Sequence, residues 1–210
     1  MKKYISKLHY LTQDLENSSH LEQVEIACQA GCKWIQYRCL TKSDEDMLEE
    51  LHPIASVCDD WGATLIVTNH YQLLPLADIQ GVHIEDMNAD LKIIRQQIGE
   101  DKTLGASATN FEQIKNHIKN TADYIGCGPF AHTDTKPNDN EHWGVKGYQE
   151  MIEKLKVKNL EIPLIAAGGV KQKDVEALLK TGIHGVAVSA AINKSENLAQ
   201  AYKEFHQLIF

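Results

Sequence analysis

The sequence predicts an α/β fold, a single (β/α)8 TIM barrel in which residues 1–210 form one domain. Two observations lead to this prediction. Short apolar runs recur eight times along the chain, and a segment with helical periodicity follows each run. The runs are rich in Ile, Val and Leu without strict alternation, which is typical of parallel strands buried on both faces. Eight such units in 210 residues favour a closed barrel over a doubly wound open sheet.

The predicted elements alternate in regular order. The strands are residues 8–13, 34–38, 64–68, 81–84, 103–107, 123–127, 163–168 and 185–189. The helices are residues 20–31, 43–62, 69–78, 89–99, 110–120, 147–156, 171–182 and 198–209, of which 69–78 has the weakest pattern. Ser43 is a good N-cap residue before acidic residues, and Gly31 can end the first helix in a left-handed conformation. Pro53 should kink or split the second helix.

Composition narrows the classes of function. The chain has 21 Lys and Arg against 29 Asp and Glu, and a net charge of −8 argues against a broad nucleic-acid surface. No run approaches the ~20 apolar residues of a membrane span, and the N-terminus shows no signal peptide. Five cysteines form no CxxC pair and no zinc-type set along the sequence, so we expect reduced, mostly buried thiols in a cytoplasmic protein.

The candidate site residues follow from one property of barrels. Reacting groups lie at the C-terminal ends of the strands, so polar residues that follow the strands should face a common site. This rule selects Gln36, Arg38, Thr68, Asn69, His70, His83, Glu85, Asp86, Asn88, Ser107, Thr109, His132, Thr133, Thr135, Lys136, Gly168, Gly169 and Ser189.

The last two strands predict a phosphate site. Gly168 and Gly169 allow an anion to approach the backbone closely, and Ser189 follows the next strand at the equivalent place. Barrels often bind phosphate on these two loops, where backbone amides meet a helix start. A tight turn without a ligand is the alternative for the two glycines.

A polar loop after the sixth strand predicts a second anion contact. Thr133, Thr135 and Lys136 supply two hydroxyls and an ammonium, which suit a polyphosphate, and Arg38 could close the clamp from strand two. A solvated loop is the alternative for the first three residues, and a structural ion pair is the alternative for Arg38.

Ten histidines occur without an HxH or HExxH pattern. Most are expected at the surface or in polar loops. His70, His83 and His132 follow strands and are therefore the candidates for acid–base catalysis.

These positions coincide with the motifs of a known family. The matching words are "IQYR", "GVHI", "DYIGCGPFAHTDTK" with the later Gly144, "IPLIAAGGV" and "GVAVS". Over nearly its whole length the chain resembles thiamine phosphate synthase and its relative TenI, which share a compact (β/α)8 barrel. The resemblance implies a synthase that joins hydroxymethylpyrimidine pyrophosphate to thiazole phosphate with Mg²⁺ and releases pyrophosphate. TenI proteins keep the thiazole phosphate site, and some are thiazole tautomerases.

The resemblance also implies roles for individual residues. Gln36 and Arg38 match the first two members of a Gln-x-Arg-x-Lys motif whose arginine meets pyrophosphate. Ser107 matches a small hydroxyl residue of the family. The loop residues Thr133, Thr135 and Lys136 match the Thr-x-Thr-Lys motif that faces the substrates' phosphates, and Gly169 and Ser189 match the thiazole phosphate site. The implied catalytic set is Arg38, Ser107 and Lys136, with His132 as a candidate acid–base group.

Departures from the family motifs affect the metal and the acid–base group. The motif's lysine falls on Leu40, and the two Asp residues that carry Mg²⁺ in the synthase fall on Asn69 and Asn88. Because Mg²⁺ strongly prefers carboxylate oxygen, a site on two amides should be weak or lost. The catalytic histidine of TenI falls on Thr109. Other groups nearby that could substitute are Glu85, Asp86, Lys42, His70, His83 and His132.

We therefore expect a thiamin-pathway protein that binds thiazole phosphate and is TenI-like or a weakly active synthase. A competent synthase, which would need Mg²⁺ and also bind the pyrimidine pyrophosphate, is one alternative. A non-catalytic sensor of a thiamin precursor is another, and a barrel enzyme for an unrelated phosphorylated substrate is a third. The sequence leaves the oligomeric state open, and a homo-oligomer is compatible with it.

Overall fold

The computed structural model describes residues 3–132 and 141–210, and within them eight strands alternate with helices. The strands are β1 Leu8–Leu11, β2 Trp34–Tyr37, β3 Thr64–Thr68, β4 Gly81–Ile84, β5 Thr103–Ala108, β6 Tyr124–Cys127, β7 Leu164–Ala166 and β8 Gly185–Val188. The helices are α1 His20–Gln29, α2 Asp44–Asp60, α3 Leu91–Ile98, α4 Phe111–Lys119, α5 Gly144–Val157, α6 Gln172–Lys180, α7 Ala190–Asn193 and α8 Leu198–Ile209.

The strands close into a barrel in chain order. Every neighbouring pair is parallel, and β8 returns to β1 with Leu8 opposite Val186. Closure leaves no exposed strand edge, and each crossover carries its chain back along the outside of the sheet. The predicted (β/α)8 barrel is therefore confirmed.

Aromatic side chains fill the barrel interior near the N-terminal ends of the strands. His9 stacks on Trp34 with ring centroids 4.4 Å apart, and Tyr124 meets both rings edge-on. A side chain at Gly105 would place its Cβ 2.2 Å from the Tyr124 ring, so this strand position requires glycine. Because this layer fills the interior, space remains only toward the C-terminal ends of the strands, where the site lies.

The helices follow the sequence predictions at their ends, but two predictions about helix continuity differ from the structure. Ser43 accepts a hydrogen bond from the Asp46 N–H as the N-cap of α2, and Gly31 has a φ of 98° just after α1. Helix α2 continues through Pro53 without being split. The weak helix predicted at 69–78 is instead a single 3₁₀ turn, Tyr71–Leu73. Among the described residues, no helix combines the length and apolar character needed to cross a membrane.

A buried ion pair joins the β4–β5 crossover to the β5–β6 crossover near the N-terminal ends of the strands. Arg95 of α3 donates to the Asp123 carboxylate at 2.7 Å and to three backbone carbonyls. Asp123 also accepts from the Leu104 N–H and from Lys3. The five described cysteines are all free and buried, as predicted.

Candidate active site

A cavity of about 480 Å³ opens at the C-terminal ends of the strands. We call it the active-site cavity. A volume of this size suits a small ligand. Of the predicted site residues, those that line it are Gln36, Arg38, Ser107, His132, Gly168, Gly169 and Ser189, together with His83, Glu85 and Thr109.

The first polar group in the cavity is an imidazole held between two hydroxyls, which we call the His83 cluster (His83, Ser107 and Tyr124). His83 Nδ1 lies 3.0 Å from the Tyr124 hydroxyl, and its Nε2 lies 3.0 Å from Ser107 Oγ. Burial raises the pKa of Tyr124, so its phenol stays protonated and can donate. This arrangement favours the tautomer that accepts at Nδ1 and donates from Nε2. A side chain at Gly126 would come within 3.0 Å of the ring, so glycine gives the imidazole its space.

The second polar group is an ion pair between the residues that follow β2 and β4. Arg38 binds Glu85 through two parallel hydrogen bonds, Nε to Oε1 at 2.8 Å and Nη2 to Oε2 at 3.2 Å. The exposed fractions of the two side chains are 7% and 15%. Gln36 lies beside this pair and donates to Thr68 Oγ1. The predicted pyrophosphate arginine thus faces the cavity while a carboxylate occupies its fork.

The loops after β7 and β8 form the third part of the site. Gly168 and Gly169 have φ values of 85° and 73°, and a Cβ on Gly169 would lie 2.6 Å from a neighbouring carbonyl oxygen. Ser189 Oγ accepts from the Asn193 amide. Lysines at 171 and 194 line the same end of the cavity. This end therefore combines bare backbone, a hydroxyl and two cations, a set that suits a phosphate group.

The positions of the implied metal ligands do not fit a magnesium ion. Asn69 does not line the cavity, and its Oδ1 accepts the Glu85 N–H at 2.7 Å. Asn88 is exposed, and its N–H donates to Asp86. Among the described residues that line the cavity, Glu85 contributes the only carboxylate, and Arg38 binds it. A hard divalent cation would lack the charged oxygen ligands it prefers.

Of the remaining candidate residues, some line the cavity and others do not. His70 pairs with Asp44 at 2.7 Å and does not line the cavity, whereas His132 lines it at an exposed position. Thr109, at the position of the TenI histidine, donates to Gln113. The predicted clamp of Thr133, Thr135 and Lys136 lies outside the described residues.

Sequence reasoning missed four lining residues with ionisable side chains: His9, Tyr124, Lys171 and Lys194. The two aromatic rings lie within strands, where an apolar run gives no sign of which side chains point inward. Lys171 is the N-cap of α6 and Lys194 is the C-cap of α7, and lysines at helix ends are common on protein surfaces. Side chains alternate between the two faces along each strand. Once the register is known, this alternation identifies His9 and Tyr124 as inward-facing.

Comparisons with known proteins identify the family of the chain. Residues 9–192 match the family model described as thiamine monophosphate synthase. A thiamine-phosphate synthase of Flavobacterium johnsoniae is 32% identical over 205 residues, covering 98% of this chain and 97% of the relative. One from Bacteroides fragilis is 35% identical and covers 88% and 91%. The solved thiamine phosphate pyrophosphorylase of Pyrococcus furiosus superposes with a TM-score of 0.83 at 25% identity, covering 97% and 95%. The chain belongs to the thiamine monophosphate synthase and TenI family.

Proposed function

We propose that this chain binds thiazole phosphate in the active-site cavity and catalyses metal-free proton transfer on the thiazole, as TenI-type tautomerases do. The His83 cluster carries the proposal, because it places an imidazole between two hydroxyls inside the cavity. An imidazole takes up and returns protons near neutral pH, which is the requirement of a tautomerisation.

The phosphate end of the cavity supports the choice of ligand. Gly168 and Gly169 expose backbone without side chains, and Ser189 adds a hydroxyl one strand away. Lys171 and Lys194 give this end positive charge within a chain whose net charge is −8. A phosphate bound here would leave its attached ring toward the centre of the cavity, where the His83 cluster lies.

The cluster contains the parts that a proton transfer needs. Ser107 and Tyr124 fix the plane of the imidazole from both sides and so hold its nitrogens in one direction. His9 lies deeper, and burial together with the nearby His83 lowers its pKa, so it stays neutral and adds no competing charge. His83 thereby takes the role that the histidine at position 109 has in TenI proteins.

The metal positions support proton transfer over coupling. Coupling expels pyrophosphate, whose charge must be neutralised as it leaves. Here Asn69 and Asn88 replace the two metal carboxylates, and Arg38 is bound to Glu85. Tautomerisation has no anionic leaving group and is unaffected by these losses.

A competent synthase is the second candidate function. It is favoured by the relatives at 32% and 35% identity, both of which are named thiamine-phosphate synthase. Gln36, Arg38 and Ser107 also line the cavity, at the places where the family motifs put them. This candidate requires Arg38 to exchange Glu85 for pyrophosphate and requires a source of metal ligands other than Asn69 and Asn88.

One pair of assays separates the two candidates. Purified protein is given the carboxylated thiazole phosphate tautomer in chelator, and the isomer is followed by NMR. A parallel sample receives pyrimidine pyrophosphate, thiazole phosphate and Mg²⁺, and thiamin phosphate is followed. We expect isomerisation without metal, reduced about 10²–10⁴-fold by His83→Gln. Thiamin phosphate formation that depends on Mg²⁺ and on Lys136 would establish the synthase instead.

The matched control is His52→Gln, which removes an exposed histidine of α2 that does not line the cavity. It should leave isomerisation unchanged. If neither reaction occurs while thiazole phosphate raises the melting temperature, the protein is a precursor-binding module without catalysis. If thiazole phosphate does not bind at all, the proposed ligand is wrong.

A further inference from the structure

The loops after β1 and β2 bring a carboxylate, an imidazole and a thiol together at the mouth of the barrel. Asp14 belongs to the first loop, His20 begins α1, and Cys39 follows Arg38 in the second loop. Their donor atoms all lie within 4.8 Å of one another. We propose that Asp14, His20 and Cys39 bind a thiophilic divalent cation of the Zn²⁺ class, at a site separate from the active-site cavity.

The spacing of the donors matches a tetrahedral ion. Asp14 Oδ1 lies 3.1 Å from His20 Nε2 and 3.2 Å from Cys39 Sγ. In a tetrahedral zinc site, bonds of about 2.0 Å to nitrogen or oxygen and 2.3 Å to sulfur set neighbouring donors roughly 3.3–3.6 Å apart. The two Asp14 separations therefore need changes of only a few tenths of an ångström, and His20 Nε2 and Cys39 Sγ lie within 4.8 Å of each other.

The charges also match a divalent cation. Asp14 supplies a carboxylate, which accepts hydrogen bonds from the Leu40 N–H, the Thr41 hydroxyl and the Cys39 thiol. Zinc binding would displace the proton of the Cys39 thiol to solvent, and the carboxylate and thiolate would then balance the two charges of the ion.

The groups behind the donors suit a metal-bound histidine. Thr12 Oγ1 lies 2.7 Å from His20 Nδ1, so it can accept the ring proton when Nε2 binds the metal. The same oxygen accepts the Arg38 N–H at 3.0 Å. An ion at this site would therefore also fix the backbone of the arginine that faces the active-site cavity.

Three protein ligands leave a fourth position. Thr41 Oγ1 lies 3.0 Å from Asp14 Oδ1 and 3.9 Å from Cys39 Sγ, close enough to support a water ligand there. His20 and Cys39 are buried while Asp14 is partly exposed, so the open position faces solvent. Sulfur and nitrogen donors select zinc over magnesium, which separates this site from the family's use of Mg²⁺.

Metal binding tests the proposal directly. The full chain is stripped with chelator, and Zn²⁺ is titrated in competition with a chromophoric chelator. Co²⁺ is titrated separately and its absorption recorded. We expect one Zn²⁺ per chain, and a Co²⁺ spectrum with a thiolate charge-transfer band and the strong ligand-field absorption of a tetrahedral site. Cys39→Ser should abolish the charge-transfer band. It should also weaken zinc binding by more than about 10–100-fold, the usual effect of losing a group that only hydrogen-bonds to a metal ligand.

Two controls make the result specific to this cluster. Cys58→Ala removes a different buried thiol, and His52→Gln removes an exposed imidazole, and both should bind like the unchanged protein. The proposal is overturned if the unchanged protein binds no Zn²⁺ and the cluster is a hydrogen-bond hub only. Bound Co²⁺ without a charge-transfer band would also overturn it, and this readout does not depend on whether any variant folds.

Discussion

Substituting Glu85 by Gln separates the two partners of the ion pair in the active-site cavity. The change keeps the shape of the side chain and an oxygen that can accept from Arg38, but it removes the negative charge. Arg38 and Glu85 are joined by hydrogen bonds of 2.8 and 3.2 Å and are mostly shielded from solvent. Pyrophosphate must displace Glu85 to bind the same guanidinium fork, so the substitution should strengthen anion binding.

The magnitude follows from the geometry. Two unit charges about 4 Å apart attract by about 4 kcal/mol at an effective dielectric constant of 20. The hydrogen bond that Gln retains offsets about 1 kcal/mol, and water in the open cavity screens a similar amount. A remainder of about 2 kcal/mol corresponds to roughly 30-fold tighter binding of pyrophosphate. The free energy of unfolding should fall by a comparable amount, because Arg38 loses its counter-charge.

Isothermal titration with pyrophosphate in chelator measures this effect without metal. The unchanged protein, Glu85→Gln, Arg38→Met and the double variant form a cycle. The gain from Glu85→Gln should disappear in the Arg38→Met background. An unchanged or weaker affinity in Glu85→Gln would refute the competition between Glu85 and the anion. A gain that survives without Arg38 would show that general charge, and not this guanidinium, is responsible.

Three further predictions concern the barrel itself. Asp123→Ala leaves the buried Arg95 guanidinium without its carboxylate and should lower the free energy of unfolding by about 3–5 kcal/mol in urea titrations, whereas Asp123→Asn should cost less. Gly105→Ala places a Cβ 2.2 Å from the Tyr124 ring and should lower the melting temperature through overpacking of about 1–3 kcal/mol, an effect that Tyr124→Leu should relieve. The pKa of His9 is lowered by burial and by His83, so the unfolded chain binds the extra proton first. Stability should be complete above about pH 6.5 and decline below it by up to about 1.4 kcal/mol per pH unit, and His9→Gln should reduce this slope.

The fold could be predicted because each of its signals is local. Strand runs, the Ser43 cap and the Gly31 helix end depend on a few neighbouring residues, and the structure confirms them. The segment 69–78 was predicted as a helix and is mainly irregular, because Asn69 adopts a φ of 64° and gives its side chain to the Glu85 backbone. This hydrogen bond joins the segments that follow β3 and β4, and the residue pattern of neither segment predicts it.

The sequence could predict which polar residues follow the strands, but not which of their side chains contact one another. The rule that barrel strands end at the active face selected Gln36, Arg38 and Ser107, and all three line the cavity. It could not show that Arg38 binds Glu85 or that His83 joins Ser107, because residues 47 and 24 positions apart meet only after the barrel closes. Long-range pairs of this kind depend on register, which the sequence pattern does not specify.

The substitutions at the metal positions and the Arg38–Glu85 pair have one electrostatic explanation. A cavity arginine needs a counter-charge when no substrate is bound, because an unpaired buried guanidinium is costly. The family motifs imply carboxylates at positions 69 and 88, where this chain has two neutral amides. Glu85 supplies the counter-charge here, and the Asn69 side chain holds the Glu85 backbone in place through its 2.7 Å hydrogen bond. Asn69→Asp keeps an oxygen that can accept the Glu85 N–H and adds a second carboxylate next to the Glu85 backbone. Because Mg²⁺ prefers carboxylate oxygen, Asn69→Asp should strengthen Mg²⁺ binding and Glu85→Gln should reduce that gain, which titration of the single and double variants with Mg²⁺ would measure.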